Sequence, residues 1–136
     1  MVERRDFLKA AIVTVSALTL GPGSKVSASE GGAPFTNVIY TEGNPGKWAG
    51  KAKTHAPMVD VAAGKVSVKT THPMSVEHYI VRHTLVLGDG TVVGGVTFKP
   101  NDPAESSYDL PPGYKGKVYA TSFCNLHDFW LTEFMV

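Results

Sequence analysis

From residue 58 onward apolar and polar positions alternate in short runs, and glycine, proline, asparagine or aspartate closes most of them. A period of two is the signature of half-buried strands, with successive side chains pointing to opposite faces. Met58 to Ala62 leads through Ala63-Gly64 into Lys65-Val66-Ser67-Val68-Lys69, which predicts a hairpin with clean alternation. His78 to Leu87 is the longest strand expected, and Gly88-Asp89-Gly90 ends it with a strong turn signal. Thr91 to Phe98 pairs back, and Lys99-Pro100-Asn101-Asp102-Pro103 breaks that run. Ser106 to Leu110, Lys117 to Phe123 and Trp130 to Met135 complete about seven strands. No stretch outside the first 28 residues carries a helical period. Seven short alternating strands in about a hundred residues predict an all-β fold, an antiparallel β-sandwich around one core. Along the longest strand, strict alternation puts Tyr79, Val81 and His83 on one face and His78, Ile80 and Arg82 on the other.

The N-terminal stretch breaks this pattern. Glu3-Arg4-Arg5-Asp6-Phe7-Leu8-Lys9 precedes an apolar run from Ala10 to Leu20 and then Gly21-Pro22-Gly23. Paired arginines, a short apolar run and a small-residue exit read as a secretory leader of the twin-arginine type. The run is too short for a stable bilayer-spanning helix, which needs ~20 residues. Cleavage after Ala28, in Val26-Ser27-Ala28, would leave 108 residues, enough for one domain. The expected organisation is a leader over 1–28, a flexible Gly- and Pro-rich arm or linker over 29–46, and one domain over 47–136. Removing the leader takes four basic and two acidic residues from the whole-chain 13 and 12, leaving nine against ten. A nearly neutral domain offers no electrostatic case for binding nucleic acid. Twin-arginine export predicts a periplasmic or extracytoplasmic location, and that route carries folded, often cofactor-loaded proteins.

The chemistry sits late in the chain, in Ser122-Phe123-Cys124-Asn125-Leu126-His127-Asp128-Phe129-Trp130. Cys124 is the only cysteine, so no internal disulfide exists to explain a thiol in an oxidising compartment. A thiolate with an imidazole three residues on suits a metal. Three more of the five histidines stand in Lys53-Thr54-His55-Ala56-Pro57 and in Thr71-His72-Pro73-Met74-Ser75-Val76-Glu77-His78-Tyr79. His-Pro-Met-x-x-x-His-Tyr-Ile followed downstream by Cys-Asn-Leu-His-x-x-Trp resembles the superoxide reductase family, comprising neelaredoxin and the iron domain of desulfoferrodoxin. The resemblance covers roughly residues 45 to 136. It implies an immunoglobulin-like sandwich with the metal held by loops at one end. It also implies one mononuclear Fe with His55, His72, His78 and His127 around it and Cys124 on its axis, opposite an open position. The implied activity is one-electron reduction of superoxide to hydrogen peroxide, with the electron coming from an external donor, rubredoxin-like or another small redox protein. Relatives often assemble as dimers or tetramers, so a homo-oligomer is expected. Some carry an extra four-cysteine module, which a one-cysteine chain lacks; the likeness is to the one-iron class.

Two departures from the family pattern stand out. A glycine usual after the last histidine is Asp128 here, and aspartate tolerates a left-handed turn better than most residues. Many relatives place Glu-Lys directly before the first ligand, whereas this chain has Lys53-Thr54. With no glutamate there, the open position of the oxidised form is expected to hold water or hydroxide. Lys53 is the residue expected to face incoming superoxide. His83 matches no ligand position and reads as a surface or packing residue. Trp130 and Tyr79 read as core aromatics, with a role beside the metal as the sharper possibility. Two other functions compete. A cupredoxin-like electron carrier would use Cys124, His127 and Met135 for copper, at the cost of an eight-residue gap and with His55, His72 and His78 remaining where only one more histidine is needed. A passive metal-binding protein would keep the site without turnover.

Overall fold

In the computed structural model residues 37–136 are described; the leader and the first part of the arm lie outside the described residues. Among the described residues eight strands form, in chain order β1 (Ile39–Tyr40), β2 (Met58–Ala62), β3 (Lys65–Lys69), β4 (Ile80–Leu87), β5 (Val92–Thr97), β6 (Glu105–Asp109), β7 (Lys117–Cys124) and β8 (Asp128–Met135). They make a five-stranded sheet in the order β1-β8-β7-β4-β5 and a three-stranded sheet in the order β2-β3-β6. All pairings are antiparallel except β1 on β8.

The alternation seen in the sequence is what closes the two sheets into a sandwich. Val66, Val68 and Tyr108 of the small sheet meet Leu85, Leu87, Val118 and Ala120 of the large one, all buried. Gly94 admits the Tyr108 ring, because a Cβ there would lie 3.0 Å from it. At one end a second cluster gathers Ile80, Phe98, Ala104 and Cys124. The β2–β3 connection is a two-residue loop whose Ala63 and Gly64 both have positive φ, 51° and 76°. That geometry matches the twist of the flanking strands.

Three features depart from the sequence reading. Within the arm, residues 37–46 pack onto the body instead of leading loosely to it. Ile39 and Tyr40 pair in parallel with Phe129 and Trp130, and the Tyr40 ring is fully buried 5.4 Å from Trp130. Short helical pieces also occur, a 3₁₀ turn over Gly46–Trp48 and one α-turn, α1 (Ala52–His55). Finally, the longest strand starts at Ile80, not His78, and its register slips there. Ile80 stands opposite Cys124 and Arg82 opposite Phe123. The extra residue of this bulge resets the parity. Ile80 and His83 therefore both face inward, contrary to strict alternation, and His83 is wholly buried, not a surface residue.

Candidate metal centre

Every predicted ligand reaches the same end of the sandwich by a different local device. Pro57 disfavours helix at the residue before it, so Ala56 turns extended at ψ 128° and α1 stops at His55. His72 lies just past the end of β3. His78 closes a loop in which its N–H is 3.2 Å from the Ser75 hydroxyl oxygen and the Ser75 N–H donates to its carbonyl at 3.0 Å. Cys124 is the last residue of β7, and His127 sits in the turn before β8. That turn needs a left-handed residue at its exit, supplied by Asp128 at φ 65°.

The ring nitrogens form a closed four-sided figure. His55 Nε2 is 3.1 Å from His127 Nδ1, which is 3.0 Å from His78 Nε2. His78 Nε2 is 3.0 Å from His72 Nε2, which returns to His55 Nε2 at 3.0 Å. Cys124 Sγ lies 3.5 Å from both His72 Nε2 and His127 Nδ1, which are opposite corners. The sulfur thus stands over the ring, not in its edge. All five donor atoms fall within 4.8 Å of one another. Cys124 is fully buried while His72, His78 and His127 are half-buried, so the face away from sulfur is the one open to water.

The ring protons fix which nitrogens are free to bind a cation. His55 Nδ1–H points to the Lys51 carbonyl at 3.0 Å, and the Thr54 hydroxyl, itself donating to that carbonyl, lies 2.8 Å away. His72 Nδ1–H points to the Pro73 carbonyl. With those protons placed, both Nε2 atoms carry bare lone pairs, and two lone pairs at 3.0 Å do not bond. A cation between them removes the conflict. A square of edge 3.0 Å has a half-diagonal of about 2.1 Å, the length of a metal–imidazole bond. Four imidazoles and one thiolate are a donor set that iron accepts. The residues fit a mononuclear iron.

Burial keeps the donors in the form a metal needs. His55 is held down at about 4, first by burial and then by the neighbouring His72. His72 is likewise near 4, mainly through burial, with the Pro73 carbonyl opposing. His127 is lowered by burial and then by the Lys51 ammonium. Burial pushes the Cys124 thiol up, while the backbone N–H groups of Leu126 and His127 and the Lys51 charge pull the other way. A bound cation overrides that last burial effect and takes the thiolate.

Several neighbours emerge only in three dimensions. Asn125 fastens the Cys124 turn to the His78 loop: its Oδ1 accepts the Tyr79 N–H at 3.0 Å and its Nδ2 donates to the Glu77 carbonyl at 3.0 Å. Its place inside Cys-Asn-Leu-His was the signal available. The Trp48 ring stands edge-on to His127 at 4.7 Å, and its Nε1–H donates to Asp128 Oδ2 at 3.2 Å. Trp130 Nε1–H donates to the His127 carbonyl at 2.9 Å, and its ring lies 5.7 Å from that of His55. Trp130 therefore serves both core and site, whereas Tyr79 is half-buried and contributes its backbone. Lys53 is exposed and borders a surface groove with Glu42, Met58 and Phe134. The lysine whose charge is felt at His72, His127 and Cys124 is Lys51. Met135 is exposed at the far end of β8 from Asp128, opposite Lys117, out of reach for the copper set of a cupredoxin.

Known proteins share this arrangement of chain. Residues 47–133 match the Desulfoferrodoxin family model. The superoxide reductase of Pyrococcus furiosus is 33% identical, over 65% of this chain and 90% of its own length. That of Pyrococcus abyssi is 31% identical with the same coverage. Among solved structures, the superoxide reductase (neelaredoxin) of Ignicoccus hospitalis superposes with a TM-score of 0.63 at 28% identity, covering 76% of this chain and 98% of its own. A sandwich of the same build, matched over most of its domain by sequence and by shape, makes this chain a member of the desulfoferrodoxin family.

Proposed function

We propose that the protein is a superoxide reductase, an oxidoreductase that takes one superoxide, one electron and two protons to hydrogen peroxide. The observation that carries this is the ring of four nitrogens with one sulfur over it. His55, His72, His78, His127 and Cys124 would hold one iron, which when bound supplies the one-electron chemistry and a position for the substrate. The chain's own residues do the rest. Cys124 holds its sulfur on the dry side, so substrate and protons arrive from the half-exposed side. Lys51 draws the anionic substrate toward that side, and Lys53, one helical position past Ala52, adds to the outer field. Lys51 O fixes the His55 proton on Nδ1 and so keeps Nε2 turned inward. An external redox protein supplies the electron.

Iron content and the optical spectrum of the oxidised protein test this directly. Iron with a thiolate charge-transfer band in the red is expected. Cys124→Ser should remove that band and nearly all superoxide reduction while the far-ultraviolet signature of the sandwich stays. Full activity in Cys124→Ser would refute the thiolate assignment.

The leader over 1–28 gives the further proposal that the protein acts outside the cytoplasm. Replacing Arg4 and Arg5 by Lys should retain it in the cytoplasm on fractionation. Undiminished export of that variant would remove the twin-arginine assignment.

A further inference from the structure

His83 is a fully buried imidazole that the reaction does not use. It lies on β4 in the large sheet and reaches across the sandwich. Its Nδ1 is 2.9 Å from Ser106 Oγ on β6, and its Nε2 is 2.8 Å from Thr70 Oγ1. Thr70 continues the β3–β6 pairing by one rung, its N–H donating to the Ala104 carbonyl at 3.0 Å. From Thr70 Oγ1 the path returns to the large sheet at Ser122 Oγ, 2.9 Å away. The Phe98 ring packs edge-on against the imidazole at 4.9 Å. All four polar residues are buried.

A polar chain in a sandwich core costs stability unless every member is satisfied, and an apolar pair would fill the space more cheaply. Both nitrogens of His83 have hydroxyl partners, so the chain is satisfied. Its position supplies the reason for it. Thr70 is two residues before His72, and Ser122 is two residues before Cys124 on the same face of β7. His72 and Cys124 come from opposite sheets, yet their donor atoms must meet at 3.5 Å. Apolar packing alone lets two sheets slide by fractions of an ångström. Directional bonds between them do not.

We propose that His83 is a positioning residue for the metal centre: through Thr70 it ties the strand end that delivers His72 to the strand that delivers Cys124. This rests on the reading of those two residues as ligands. Thr70 is the junction, since its hydroxyl meets both His83 and Ser122. The link from His83 that matters is therefore the one at Nε2, while the bond to Ser106 anchors the ring from the other side.

The test uses the iron-loaded full chain and reads the thiolate-to-iron absorption band and the rate of iron loss to a chelator. Thr70→Val keeps the branched shape and deletes the hydroxyl. It should shift the band and speed iron loss about 10-fold, the lower end for disturbed metal surroundings. Ser122→Ala should act in the same direction, and keeps the question open to measurement if Thr70→Val folds poorly. His83→Gln places its amide near the Nε2 position and should stay close to wild type. His83→Asn places it near Nδ1, keeps only the Ser106 contact, and should resemble Thr70→Val. Val118→Ala, a core truncation away from this chain, should lower stability and leave the band in place. If Thr70→Val and Ser122→Ala behave like Val118→Ala, the positioning role is wrong. A wild type that loads iron without a thiolate band would instead overturn the ligand reading, and this inference with it.

Discussion

At the scale of single residues, charge near the site depends on helical phase. Lys51 and His55 are four residues apart across one α-turn and share a side; Lys53 points roughly the opposite way. Lys47, the next cation along, is occupied: its ammonium lies 3.7 Å from Asp128 and over the Trp48 ring. Lys51→Ala should therefore slow the second-order reaction with superoxide several-fold and flatten its dependence on salt, because screening acts on that attraction. Lys53→Ala should do less on both counts. Stopped-flow rates across an ionic-strength series decide this, and a larger loss in Lys53→Ala would return the steering role to Lys53. Iron content should stay constant in both. The clustering of His55, His72, His78, Cys124 and His127 was legible in the sequence, these being rare residue types in a specific motif. The helical phase of Lys51 was not, because four residues of helix are too few to show a period, and sequence adjacency to His55 favoured Lys53.

Strands and turns were legible where alternation and turn chemistry agree, as in Met58–Lys69, whose two strands form with the ends expected. Ala63 is the exception within that hairpin, a Cβ-bearing residue held at φ 51°. It is exposed, so relieving that conformation disturbs no packing. Ala63→Asn should stabilise the domain by about 0.5–1 kcal/mol, since asparagine tolerates the left-handed region. Thermal melting would show a rise of a few degrees; a fall would mean that the turn is not strained. The bulge at Val81 was not legible. A period-two pattern with one inserted residue still looks like a period-two pattern, and only the partner strand reveals the slip. β1 was hidden for another reason: two residues amid glycine and proline carry no alternation to read.

For the whole molecule, the buried histidine makes acid the natural enemy. Burial holds His83 near 4, against an ordinary 6.5 in the unfolded chain. As pH falls from about 6.5 the unfolded state takes up a proton that the folded state refuses, so stability drops until about 4 and then levels. The slope approaches ~1.4 kcal/mol per pH unit for this one group. His55 and His72 add to it in metal-free protein, so the comparison that isolates His83 is between wild type and His83→Gln. Denaturant unfolding at pH 7 and pH 4.5 should show a shallower acid loss in the variant; equal losses would place the titration elsewhere. The parallel pairing of Ile39–Tyr40 with Phe129–Trp130 has its own consequence, for assembly in time. The first described strand docks on the last one, and His55 waits for His127 across 72 residues. During synthesis the growing chain can finish neither its sheet nor its ring of nitrogens until the β7–β8 hairpin has emerged. With the proposed ligand set, iron capture is thus a late step that waits for the last strand to form.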